Sequence, residues 1–446
     1  MCGYIAIVAG DKIDVSQSVL ASLKLINHRG PDDEGVAVFD HHGAVTVMSS
    51  QDTQAQALQD LPDSIAVQPM GSMSGKLGFG HRRLSIVDLS AQGHQPMFSE
   101  DGRYSIIFNG EIYNYLALKE SLIKVGFLFR SDTDTEVLLA AYQHWGERCL
   151  DKLNGMFSFV IADVRAKTVF IARDRYGVKP CYYWFSPLGY WAVASEIKQF
   201  TVLPGWRAKL NAQKAYDYLN WSLSDHTSET LFQGVFQLPA GCCVTASFLE
   251  PTSNLAIRQW YHTPSAQHDM TFDEASSHFY DLLLDSVTLR LHSDVLVGTG
   301  LSGGLDSSSI VCLVDQLMTG KTHQTFSSCS HNPAFDERSY IQQVVKQTTV
   351  NPHYVFPDLG QLLSELGSIV WHQDEPFHTT SILAEWQIYQ TVAASGVKVT
   401  LDGHGADETL AGYHAFFAAR LAGMFNQAKF STLFSEMGAI HNVHQY

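Results

Sequence analysis

Cys2 directly follows Met1 and is followed by Gly3. Removal of the methionine would leave a cysteine carrying its own α-amine. Such an amine has an ordinary pKa of roughly 7.7–8.0, so part of it is neutral at pH 7. It can take the thiol proton, directly or through a water, and one residue then supplies both nucleophile and base. A second chemical grouping, Leu301-Ser302-Gly303-Gly304-Leu305-Asp306-Ser307-Ser308, lies far downstream between a strand-like and a helix-like run. Its glycines allow the backbone to approach phosphates, and the following helix N-terminus adds oriented N–H groups. No lysine stands at the Walker position, so this is not the common P-loop.

Four further segments carry charge or amide groups at turns and element ends. They are His28-Arg29-Gly30-Pro31-Asp32, His81-Arg82-Arg83-Leu84-Ser85-Ile86-Val87-Asp88, Asn109-Gly110-Glu111-Ile112-Tyr113-Asn114 and Ser131-Asp132-Thr133-Asp134-Thr135-Glu136-Val137. Taken singly, each has an ordinary reading. Asn109-Gly110 suits a hairpin turn, Asp134 could cap a helix, and Arg82 is expected to be solvated. His28 and Arg29 are assigned to structure or pocket architecture.

In this order, behind a cysteine at position 2, the segments resemble the class II glutamine amidotransferases. The resemblance implies an N-terminal-nucleophile fold, in which Cys2 attacks the side-chain amide of glutamine to give a thioester and ammonia. The Asn109 amide and the Gly110 N–H would stabilise the oxyanion. Arg83 would hold the α-carboxylate through its planar fork. Asp132 and Asp134 compete for the α-ammonium, and the family's position two residues before the Glu-Val pair favours Asp134. Leu84, Ser85, Ile86, Val87 and Glu111 would line the pocket.

The Ser302–Ser307 loop resembles the pyrophosphate loop of the ATP pyrophosphatases, and the two halves together resemble the asparagine synthetase family. The likeness runs along the whole chain, including Asp174–Pro180, Ser195-Glu196-Ile197-Lys198, Asp336-Glu337 and Asp402–Tyr413. It implies a carboxylate, aspartate by default, activated as its AMP ester and captured by ammonia. ATP would be bound by Leu301, Ser302, Gly303, Gly304, Asp306, Ser307, Ser328, Asp402 and Gly403. Asp306 and Asp407 are the candidates for Mg²⁺, whose hard oxygen preference suits carboxylates; elsewhere they would be a helix cap and a solvated acid. A homodimer is implied as well.

Two departures bear on the acceptor. Where the family has Ser-Gly-Glu-Gly-Ser-Asp-Glu, this chain has Asp402-Gly403-His404-Gly405-Ala406-Asp407-Glu408. His404 can serve as a base near pH 7 but supplies no fixed negative charge. The sequence also stops at Tyr446, before the family's later helical region, so it is expected to be either a fragment or a protein whose synthetase half is shortened or impaired. Three readings follow: a glutamine-dependent amide synthetase making asparagine, a paralogue amidating another carboxylate in polysaccharide or natural-product synthesis, or a shortened protein that only hydrolyses glutamine or binds ATP.

These groups need two supports. A chain of 446 residues exceeds one ordinary core. The first part reads as α+β, with strands at Ser105–Phe108, Phe157–Ala162, Val169–Ala172, Cys181–Phe185 and Tyr190–Ala194 and a helix through Val137 to Trp145 that stops at Gly146. From about residue 270, strands and helices alternate, which predicts a doubly wound parallel sheet with ligands at the carboxyl ends of its strands. Its expected strands are Val295–Val297, Thr325–Ser328, His353–Phe356 and Val397–Leu401. Its expected helices cover Ser308–Met318, Glu337–Gln347, Leu359–Trp371 and Ile382–Ala394. The boundary is placed at 265/266, with a trailing connection from about residue 205. The net charge of −16 argues against a nucleic-acid-coating surface. No apolar run approaches a membrane span, and no secretory segment is recognised. Seven cysteines without a CxxC pair suggest a reduced, cytoplasmic compartment, with those other than Cys2 buried.

Overall fold

The computed structural model describes residues 1–9, 13–59, 61–250, 254–264 and 269–444. Two compact units are present: Met1–Val295 together with Leu359–Leu383, and Leu296–Asp358 together with Ala384–Tyr446. Residues 265 and 266, where the boundary was placed, lie outside the described residues.

The first unit is built on two antiparallel-rich sheets. The larger has eight strands in the order Val235–Gln237, Tyr182–Phe185, Trp191–Ala194, Gly3–Val8, Leu77–Arg83, Asp33–Phe39, Val45–Ser49 and Ala66–Pro69. The other has six, in the order Arg258–Gln259, Cys242–Ser247, Thr168–Arg173, Gly155–Asp163, Tyr104–Ile112 and Met97–Phe98. Alternation along the strands assigns each residue to a layer. Tyr4, Ala6, Val8 and Phe79 of the larger sheet meet Ile107, Val160 and Ile171 of the other in one buried cluster. On the outer face of the larger sheet, Ile5 and Ile7 pack against Val15, Val19 and Leu23 of the helix Val15–Leu25. On the outer face of the second sheet, Ile106, Phe108 and Phe159 pack under the helices Tyr115–Ile123 and Asp134–Trp145. The result is a helix–sheet–sheet–helix sandwich, the layered N-terminal-nucleophile architecture. The segment after residue 205 takes part in it: Val235–Gln237 edges one sheet and Cys242–Ser247 extends the other.

Phe159 is fully buried between Phe157 and Phe170, at ring distances of 5.5 and 5.9 Å. Phe159→Ala is therefore expected to cost about 3–5 kcal/mol, read as a lower midpoint in denaturant unfolding followed by near-UV circular dichroism.

The second unit holds a four-stranded, wholly parallel sheet in the order Val350–Val355, His323–Ser328, Val297–Gly300, Val399–Leu401. The chain moves outward from Val297–Gly300 through two strands, then returns to pair on its other side. Right-handed crossovers therefore put the returning helix on the opposite face. Val311 and Ile341, from the helices Leu305–Leu317 and Arg338–Val345, pack with Leu301. Val392 of Ser381–Ala394 packs in a separate cluster with Phe326 and Val397.

The expected strand Val295–Val297 lies instead at Val297–Gly300. Two glycines made that stretch look like a loop. Neighbouring atoms demand them: a Cβ on Gly298 would sit 2.9 Å from the Phe326 ring, and one on Gly300 2.6 Å from the Asp402 carboxylate. All seven cysteines are free, and Cys312 is exposed where a buried position was expected. Among the described residues, no helix is long and apolar enough to cross a membrane.

Candidate active site

Cys2 immediately precedes the strand Gly3–Val8, which is flanked by Trp191–Ala194 and Leu77–Arg83. Its Sγ accepts from the Leu84 N–H at 3.4 Å and lies 3.7 Å from the Leu84 carbonyl. Its own carbonyl accepts from Arg29 Nε at 2.9 Å. Gly3 lets this happen, since a Cβ there would meet Ile26 at 2.7 Å and the Arg29 stem at 2.9 Å. Arg29 thus contacts the backbone of Cys2 directly. The Met1 amine is held down at about 5, chiefly by burial; Cys2 pulls it up, and Arg29 and Lys179 push it further down.

Asn109 and Gly110 do not form a turn. They lie within the nine-residue strand Tyr104–Ile112, opposite Ser158 and Phe157. A Cβ on Gly110 would come 2.2 Å from the Met156 carbonyl, so glycine is needed for strand contact. Asn109 is 1% exposed, and its Nδ2 is buried with no partner. A buried amide donor left unpaired costs on the order of 1–3 kcal/mol. His81 ties the two sheets together behind it. Burial lowers its pKa to about 3, leaving the ring neutral, and its Nε2 donates to the Phe108 carbonyl at 2.9 Å.

Asp134 and Asp132 separate sharply. Asp132 is exposed and pairs with Lys119 at 2.8 Å. Asp134 is buried and accepts from the Ile112 N–H at 2.9 Å. Nor does Asp134 cap its helix, because Thr133 does so by accepting from the Glu136 N–H. Burial pushes the Asp134 carboxyl up to about 7; the Ile112 hydrogen bond opposes this, and Glu111 adds to it. Glu111 is raised too, again by burial, with Lys179 pulling the other way.

Arg83 is 4% exposed, and its guanidinium donates to the carbonyls of Ser90, at 2.6 Å, and Asp88. Two of its five N–H groups thereby fix the plane of the fork. Arg82 is not solvated: it is 3% exposed and bridges Glu34 at 2.7 Å and Asp52 at 2.9 Å. In the stretch between, Ser85 N–H donates to Asp32, while Asp294 receives the Asp88 N–H and donates its own to the Ile86 carbonyl. Val87 packs on the helix-side core. Lys179, 4% exposed, is a neighbour that sequence reading left without a role; burial lowers its amine to about 8, with Glu111 opposing.

In the second unit, the loop Ser302–Gly304 follows the strand Val297–Gly300 and ends as Gly304 caps the helix Leu305–Leu317. Gly303 has φ +87° and packs against Tyr340 and Ile341. Ser302 and Ser307 join their hydroxyls at 2.9 Å. A cavity of about 390 Å³ opens here, at the carboxyl ends of Val297–Gly300 and Val399–Leu401, where the strand order reverses. Leu301, Ser302, Asp306, Ser307, Ser328, Asp402, Gly403, His404 and Asp407 all line it, whereas Gly303 and Gly304 shape the loop behind its wall. Asp402 is spent on structure: its carboxylate accepts from the Gly300 N–H at 3.0 Å and from Thr400 at 3.1 Å. A Cβ on Gly403 would sit 3.0 Å from Asp306 and 3.2 Å from the Ser307 N–H, closing the cradle. Asp306 and Asp407 supply two carboxylates to one wall, a donor set that suits Mg²⁺ alongside phosphate oxygens. Among the described residues no cluster of three or more His, Cys, Asp or Glu side chains could hold a metal by itself. His404 is largely exposed and lies 3.9 Å from Glu385.

Residues 68–260 match the glutamine amidotransferase domain family, and residues 278–445 match the asparagine synthase family. A putative glutamine-hydrolysing asparagine synthetase of Methanocaldococcus jannaschii is 31% identical over 433 residues, covering 93% of this chain and 76% of that protein. The chain belongs to the glutamine-hydrolysing asparagine synthetase family. Asparagine synthetase 1 of Bacillus subtilis, another member, is 30% identical over 93% of this chain, which spans 59% of that protein's length. A third relative, amidase chry2 of Gibberella zeae, is 29% identical over 95% of this chain and 61% of its own length.

Proposed function

We propose that this member of the family transfers nitrogen from glutamine to a carboxylate at the expense of ATP. The observation that carries the reading is the unpaired, buried Asn109 amide in a strand behind an N-terminal cysteine. Cys2 thiolate adds to the glutamine amide carbon, and the Asn109 amide and Gly110 N–H receive the oxyanion. The C–N bond breaks, ammonia leaves with the proton taken from the thiol, and water hydrolyses the thioester to glutamate. Arg83 holds the α-carboxylate and Asp134 the α-ammonium, with Leu84–Val87 and Glu111 around them.

In the second unit, Ser302–Ser307 cradle the pyrophosphate of ATP, with Leu301 and Ser328 beside adenine and ribose. Asp306 and Asp407 are the residues that would hold Mg²⁺, which would screen phosphate charge. The acceptor carboxylate attacks the α-phosphate, pyrophosphate leaves, and ammonia displaces AMP from the acyl-adenylate. Aspartate is the default acceptor and asparagine the product, in a cytoplasmic homodimer.

A specific observation favours a second acceptor. His404 stands where the family has glutamate, and the related amidase chry2 carries a different name from the asparagine synthetases. A paralogue acting on another acid would fit both facts. Coupled assays separate the readings. Glutamate release from glutamine alone tests the first unit, and pyrophosphate release on adding aspartate tests the second. Pyrophosphate only with a different acid supports the paralogue, and none with any carboxylate leaves glutamine hydrolysis as the sole activity.

The raised Asp134 carboxyl gives a pH signature. Ammonium binding needs the ionised form, and protons compete for it below about pH 7. The KM for glutamine should therefore climb about tenfold per pH unit on the acid side, in initial-rate measurements from pH 8 to 5.5. Asp134→Asn should flatten that slope and raise KM throughout.

A further inference from the structure

We propose that Asp374 is a positioning residue for the Cys2 nucleophile, acting through a buried chain of ion pairs that ends on the Cys2 carbonyl. The inference rests on the glutaminase reading above.

The chain is short. Arg29 donates Nε to the Cys2 carbonyl at 2.9 Å and Nη1 to Glu196 at 2.9 Å. Glu196 also meets His28 at 3.0 Å and Lys198. Lys198, 3% exposed, reaches Asp374 at 3.1 Å. The second oxygen of Asp374 accepts the Ile197 N–H at 2.7 Å, so the carboxylate grips both side chain and backbone of the 196–198 turn. Trp371 lies 5.5 Å from Lys198, and His372 sits edge-on to His28 at 4.6 Å. Glu196 serves Arg29, His28 and Lys198, and Lys198 is shared between Glu196 and Asp374, so Asp374 balances a cation that would otherwise pull Glu196 from Arg29.

Two features single out Asp374. It has φ +62°, a left-handed conformation that glycine adopts freely and most other residues disfavour. It follows the helix Leu359–Gln373 at the position where glycine is the usual terminator. A carboxylate held in that conformation points to a use for the side chain. The segment Leu359–Leu383 also comes from the middle of the synthetase-like sequence yet packs within the first unit. The nucleophile is thus oriented by a side chain encoded far outside the amidotransferase match, which ends at residue 260.

Arg29 and Glu196 are too central to separate positioning from folding, so the test uses Asp374→Asn in the full chain. Asparagine tolerates the left-handed conformation and can still accept the Ile197 N–H, but cannot balance Lys198. The expected result is a fall of about tenfold in kcat for glutamine hydrolysis, with KM within about twofold of wild type; the thermal midpoint should fall as well, because a buried cation loses a partner. The rate of Cys2 alkylation by a glutamine-like diazoketone should fall in parallel. Asp374→Gly, which relaxes the backbone but removes the same carboxylate, should show the same kcat loss. Wild-type kcat in both variants would overturn the proposal, as would a loss confined to KM. Should Asp374→Asn fold poorly, the glycine variant decides alone. A wild-type protein that releases no glutamate would instead overturn the glutaminase reading itself.

Discussion

Cys2→Ala should abolish glutamine-dependent chemistry, lowering glutamate release by about 10⁴-fold or more, while synthesis fed with ammonium salts continues. The physical reason is that thiol and amine reside in one residue, so no neighbouring base can rescue a missing sulfur. Among the described residues, the hydrogen-bonding partner of Sγ is the Leu84 backbone. Among the described residues no ion pair or fully buried hydrogen bond depends on it, so the variant should fold normally. Parallel assays with glutamine and with ammonium chloride as nitrogen source make the comparison. Equal loss of both activities would contradict a scheme with two separate sites. Intact-mass measurement supplies a companion check, since a chain that keeps Met1 has a peptide N–H where the amine should be.

The second large effect is expected at Asn109. Asn109→Ala should lower kcat for glutamine hydrolysis by about 10²–10³-fold, or about 2.7–4 kcal/mol of transition-state stabilisation, with little change in KM. An oxyanion exists only after the thiolate has added, so the missing donor is felt in the transition state and not in the bound substrate. Stability should respond in a way unusual for a buried residue. Among the described residues the Nδ2 group has no partner, and truncation removes an uncompensated polar group along with its packing. A change in the unfolding midpoint much smaller than the catalytic loss is the expected pattern. A variant that loses stability but keeps kcat would show the amide to be a structural prop.

How much of this could be read from the sequence depended on distance along the chain. Cys2 stood out because its chemistry is local, a thiol next to a chain end; Asn109 and Asp134 had ordinary local readings, a turn and a helix cap, and stood out only through their order in the family pattern. Asp134 was separable from Asp132 only by family pattern; the structure adds the physical distinction, one acid buried and the other paired on the surface. Arg82 looked solvated because its partners Glu34 and Asp52 lie far away in sequence and meet it only through strand pairing. The six-residue strand Gly3–Val8 escaped notice because it is apolar on both faces and lacks the alternation that marks a half-exposed strand. Gly298 and Gly300 hid the first strand of the parallel sheet for the opposite reason, since side chains were excluded there by their neighbours. The link from Lys198 to Asp374 was invisible altogether, joining as it does two segments that local patterns assign to different parts of the chain.

The seating of the first strand has a practical corollary. Chain ends ordinarily fray, yet Gly3–Val8 is hydrogen-bonded on both edges and wholly buried. Its backbone amides should rank among the slowest in the protein to exchange with deuterium. An affinity tag or fluorescent fusion placed ahead of Met1 would then have to thread out beside Lys179 and Arg29, and would mask the sulfur's own amine as well.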